Sequence, residues 1–108
     1  MKMILAIVSN DDSGRVSSHL TNEGHAVTRL ATTGGFLMAG NTTLLVGTPD
    51  EQVDAVIDII ARNSKKRTRI VPSTAAYGSG GVSSAFPVEV TVGGATIFVL
   101  NVERFEKL

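Results

Sequence analysis

Residues 31–43 read ATTGGFLMAGNTT, and these residue types suit one kind of chemistry, the holding of a planar nitrogen heterocycle. A wall for such a ring must let backbone come close, offer groups that read the ring's edge, and present a face for stacking. Gly34, Gly35 and Gly40 meet the first need, because glycine has no Cβ to block approach. Thr28, Thr32, Thr33, Asn41, Thr42 and Thr43 meet the second, and Asn suits the paired donor and acceptor of an adenine edge. Phe36 with Leu37 meets the third, with stacking worth about 1–3 kcal/mol per base. The same residues also fit a hairpin loop whose Phe36 and Leu37 tuck into a neighbouring subunit for packing alone. From chemistry alone, both readings stand.

Other reactive groupings are weaker. The glycine-rich string lacks the Gly-Lys-Ser/Thr of a phosphate-binding loop, and neither it nor GSGGVSS at 78–84 matches the dinucleotide pattern. His19 and His25 lack metal-pair spacing and read as surface histidines. Asp11 and Asp12 read as helix N-cap residues rather than a cation site. Ser13, Ser17 and Ser18 have no neighbouring base, and no nucleophile elbow is present. The sequon NTT at 41–43 reads as a chance match. Lys65, Lys66, Arg67 and Arg69 form a basic run that suits a charge-guarded edge strand or help for an anionic ligand. No catalytic set and no metal set emerges, so an enzyme is not expected.

The elements that must hold these residues are legible in outline. KMILAIVS at 2–9 is an apolar run expected as a central strand covered on both faces. Asn10–Asp12 supply N-cap chemistry for a first helix, with Val16 and Leu20 on one face and Gly24 as its stop. HAVTRLAT at 25–32 and TTLLVGT at 42–48 read as antiparallel strands around the glycine-rich stretch. Thr48-Pro49-Asp50-Glu51 predicts a capping box for a second helix, on which Val53, Val56, Ile57, Ile60 and Ala61 recur. KKRTRIV at 65–71 reads as an edge strand, and PSTAAYGSGGVSSAF after it shows no periodicity. PVEVTV and ATIFVLNV flank Gly93-Gly94, which predicts a two-residue hairpin.

This order is α+β: a ferredoxin-like βαββαβ sheet with two helices on one face and an extra C-terminal hairpin strand. No third helix is available for the other sheet face, so oligomerisation is expected to cover it. The chain of 108 residues makes a single domain, 1–108. Ten basic and ten acidic residues balance, which gives no support to binding of a nucleic-acid polymer. The absence of cysteine excludes disulfides and thiolate metal sites. The opening apolar run is too short for a signal sequence or membrane span, so a cytoplasmic protein without a membrane partner is expected.

MKMILAIV at 1–8, ATTGGFLMAGNTTLLVG at 31–47 and PVEVTVGGATIFVLNVERF at 87–105 resemble the PII-like cyclic di-AMP receptor proteins, the PstA or DarA family of Gram-positive bacteria. The resemblance runs end to end and is weakest in the first helix and at 73–86. It implies a PII-like homotrimer in signal transduction, binding one cyclic di-AMP at each subunit interface, with no cofactor and with an unidentified protein partner downstream. By position it implies a ligand-binding set of Thr28, Gly35, Phe36, Leu37, Asn41 and Gly47. In that set Thr28 and Asn41 hold adenine edges, Phe36 and Leu37 pack on the bases, and the glycines allow close approach. The expected mechanism is a ligand-dependent ordering of the 73–86 loop, with the 33–41 loop a second candidate. One position departs: Ala26 stands where some relatives carry an arginine, which lowers the expected affinity for a ligand with two phosphate charges. The alternatives are a PII-like regulator of ATP or another anionic metabolite using Lys65–Arg67, and an RNA-binding ferredoxin-like module. The strands offer the latter only Phe98 for stacking.

Overall fold

The structure, a computed structural model, describes residues 1–30, 40–72 and 87–108. Alternating side chains make β1 (Lys2–Ser9) two-faced: Ile4, Ala6 and Val8 are buried, while Met3, Leu5 and Ile7 are only half-buried. The expectation of burial on both faces therefore does not hold within one chain. Helix α1 (Asn10–Asn22) is capped by Ser9, whose hydroxyl accepts the Asp11 amide at 3.2 Å. It ends where Gly24 takes φ +90 and donates to the Thr21 carbonyl at 3.0 Å, which makes Gly24 the predicted stop. Val16 and Leu20 are fully buried, also as their spacing predicted.

Strand β2 (Val27–Leu30) pairs antiparallel with β3 (Asn41–Thr48), and β3 pairs antiparallel with β1. The predicted capping box after β3 does not form. Thr48 stays in the strand opposite Lys2, with its hydroxyl buried and unpartnered, and Asp50 turns to the terminal ammonium of Met1 at 2.9 Å. The chain enters α2 (Val53–Arg62) through a 3-10 turn, Asp50–Gln52. Val56, Ile59 and Ile60 are the buried residues of α2; Ile59 was not among those its pattern singled out, and Ala61 is exposed.

The largest departure comes next. Among the described residues, strand β4 (Arg67–Pro72) pairs only with β5 (Pro87–Val92), making a separate two-stranded ribbon. Strand β6 (Ala95–Asn101) does not pair with β5 but lies antiparallel to β1, completing a sheet of order β2-β3-β1-β6. So β6 fills the last position of the ferredoxin-like sheet, and β4–β5 is an insertion between α2 and β6. Gly93 and Gly94 have φ of +88 and +82, the signs a tight hairpin requires, but they carry the chain from the ribbon to the sheet. The Gly94 amide donates to Ser64, and a Cβ on Gly93 would meet the Lys65 carbonyl oxygen at 2.4 Å.

The core lies between one sheet face and the two helices. It consists of Ile4, Ala6, Val8, Val16, Leu20, Leu44, Val46, Val56, Ile59 and Ile60. Each large apolar side chain buried there contributes about 1.5–3 kcal/mol.

Candidate functional site

Strand register decides which predicted ligand residues share a surface. Leu44 and Val46 point into the core, so the alternate positions of β3, Asn41, Thr43, Leu45 and Gly47, face away from the helices. Thr28 lies opposite Leu45, while Arg29 lies opposite Leu44 on the helix side. Gly47 lies opposite Met3, and Asn41 opposite Ser9. Thr28, Asn41 and Gly47 therefore stand on one sheet face, the one neither helix covers. Gly35, Phe36 and Leu37 lie outside the described residues, as does the 73–86 segment.

The same face is apolar in its middle. Across the sheet, Thr28, Leu45, Leu5 and Phe98 form one row, and Gly47, Met3 and Leu100 continue the next. Phe98 is 52% and Leu100 47% exposed. Such a face on a sheet centre needs a cover. Gly47 adds a separate hint. Its φ is not positive, and among the described residues nothing lies within 4 Å of where its Cβ would be, so packing against them does not demand glycine. A residue without a side chain at that point leaves room for something from outside.

Asn41 sits at the end of this face and is held on both flanks. The Asn10 amide donates to the Gly40 carbonyl at 2.7 Å, and the Thr42 hydroxyl donates to Asn10 Oδ1. Gly40 adopts φ +100 to make the turn into β3. A cleft of about 450 Å³ opens here, with Asn10, Asp11, Gly40 and Asn41 on one side and Thr91 and Gly93 of the β5 end on the other.

Charges near the cleft are arranged differently from the expectation. Asp12, read as a capping residue, is fully buried and accepts from Arg67 Nη2 at 3.0 Å and Arg15 Nη2 at 2.8 Å. Arg69 Nη1 reaches Asp11 at 3.2 Å. The hydrogen bond to Asp12, then the attraction of Asp12 and Asp11, outweighs desolvation and holds Arg67 above its ordinary pKa. Arg67 is therefore engaged within the chain, which takes one cation from the set Lys65–Arg67 that an ATP-type reading would use. No local pattern marks the Asp12–Arg67 pair, whose members are 55 residues apart. Among the described residues, no group of three His, Asp or Glu is placed to hold a metal ion. No helix among them is long and apolar enough to cross a membrane.

A family model described as cyclic-di-AMP receptor matches residues 1–108, the whole chain. Among solved structures, the chain is similar to a functionally unknown protein from Pediococcus pentosaceus. The two share 36% sequence identity over 99% of this chain and 96% of that one, with a TM-score of 0.75.

Proposed function

The chain belongs to the cyclic-di-AMP receptor family, and we propose that it is a signal-transduction receptor that binds cyclic di-AMP between the subunits of a homotrimer. The observation that carries this reading is the family match over the full chain. It gains support from Thr28, Asn41 and Gly47 lying on the sheet face that neither helix covers, with an apolar centre suited to a second subunit. In this reading Thr28 and Asn41 hydrogen-bond adenine edges. Phe36 and Leu37 pack on the bases, and Gly35 and Gly47 let the ligand approach the backbone. A neighbouring subunit supplies the opposite wall.

Binding is proposed to order residues 73–86, which join the two strands of the ribbon, and so to present a surface to a partner protein. Protease cleavage near Tyr77 reads this directly: protection on adding ligand supports the switch, and unchanged cleavage at saturation removes it.

The primary test is calorimetric titration with cyclic di-AMP, using cyclic di-GMP and ATP as controls. Selective binding of about one cyclic di-AMP per chain supports the receptor reading. Absence of heat and of thermal shift with cyclic di-AMP sinks it.

A further inference from the structure

We infer that Asp12 is a positioning residue for the ligand site: by clamping Arg67 it fixes the ribbon wall that stands across the cleft from Asn41. The inference rests on the receptor reading and names a regulator of that site which contributes no proposed ligand contact.

The first turn of α1 holds both walls. On one side, Asn10 binds Gly40 and Thr42, the two neighbours of Asn41. On the other, the Asp12 carboxylate receives both terminal nitrogens of Arg67, Nη1 on Oδ2 at 3.2 Å and Nη2 on Oδ1 at 3.0 Å. This two-point fork fixes direction as well as distance. Asp12 is itself immobilised, since it is fully buried and shares Arg15, which also reaches the Asn63 carbonyl at 3.1 Å. Arg67 lies opposite Val92, between Thr91 and Gly93 of the cleft wall.

A two-stranded ribbon has little stability of its own, so its direction is set where it is rooted. Among the described residues, the root is attached by the Asp12–Arg67 fork, the Gly94–Ser64 bond and the more exposed Asp11–Arg69 pair. Exposed ion pairs hold weakly. The fork on a buried carboxylate is the attachment able to set the spacing between Asn41 and the β5 end.

The test uses the full-length protein with Arg67→Gln, Arg67→Lys and Asp12→Asn. Cyclic di-AMP affinity is measured by calorimetry, and backbone hydrogen exchange is followed without ligand. Arg67→Gln and Asp12→Asn are expected to weaken binding by about tenfold, within the usual range for coupling between sites. Arg67→Lys, which keeps a charge on Asp12 but cannot form the two-point fork, is expected to recover only part of the affinity. Exchange at Thr68 and Thr91 should quicken in the two neutral variants, while Ile4 and Val46 in the sheet core stay protected. Faster ribbon exchange with wild-type affinity would overturn the positioning role, as would wild-type affinity and exchange in Arg67→Lys, which would leave the fork without effect. Unchanged exchange at the ribbon root would overturn the clamp itself. Wild-type protein that fails to bind cyclic di-AMP defeats the receptor reading first, whereas wild-type binding with unaffected variants defeats only this inference.

Discussion

Thr28 sits directly across from Leu45 in the β2–β3 pair, and that single register places it on the sheet face the helices leave open. A shift of one residue would bring Arg29 to that face and send Thr28 towards the helices. The Val27–Val46 pair, packed on the core side, holds the register.

Asn41→Ala should weaken cyclic di-AMP binding by about 1–3 kcal/mol, the range for losing a paired contact to an adenine edge. Asn41 is half-exposed at a strand end, so subunit assembly should be unchanged. Calorimetry with sedimentation velocity checks both. Dissociation to monomers would instead assign the residue to packing.

Ala26→Arg should tighten binding, because it offers a cation two residues before Thr28 to a ligand with two phosphate charges. The gain should shrink as salt rises, since an exposed charge is screened. An affinity that stays the same from low to high salt, and equal to wild type, would count against phosphate lying near position 26.

If the chain assembles as the proposed homotrimer, Phe98→Glu should convert it to monomers while leaving the fold intact. The side chain is 52% exposed in the single chain and lies in the row with Leu5, Leu45 and Thr28. A charge buried in an apolar interface carries a desolvation cost that assembly cannot absorb. Light scattering gives the mass, and circular dichroism gives the fold.

Gly93→Ala should destabilise the protein by at least about 2 kcal/mol, and Gly24→Ala by about 1–2 kcal/mol. Both glycines have positive φ, but only at Gly93 would the added Cβ meet backbone, the Lys65 oxygen at 2.4 Å. Denaturant unfolding of the two variants gives the order. Equal losses would show that the ribbon root yields freely.

The carboxyl of Asp50 is held below its ordinary 3.8 by the hydrogen bond and charge of the terminal ammonium, with a smaller contribution from Lys2. Because its folded value is the depressed one, this pair contributes stability above about pH 3.8 and loses it as pH falls through the lower folded value. NMR titration should find the Asp50 midpoint below 3.8. An N-terminal extension that moves the ammonium away should bring the midpoint back.

Much of this architecture is local and therefore readable along the chain. Val16 and Leu20 mark the buried face of α1, Gly24 ends it, and the alternation in β2 separates Thr28 from Arg29. The stretches MKMILAIV, ATTGGFLMAGNTTLLVG and PVEVTVGGATIFVLNVERF together indicate the family. Where local rules offered a valid alternative, the tertiary structure chose. Thr48-Pro49-Asp50-Glu51 satisfies a capping pattern, but pairing with Lys2 keeps Thr48 in the sheet and the terminal ammonium takes Asp50. Gly93-Gly94 suits a hairpin, but the open edge of β1 takes seven residues of β6, and the glycines serve the crossing between sheets instead. The Asp12–Arg67 fork joins residues 55 apart and buries one carboxylate. Spacing rules reach only as far as one helical turn or one strand pair. Partners brought together by packing leave no periodic trace, so the sequence alone determined the elements and the family, and only the tertiary structure decided which edges and charges meet.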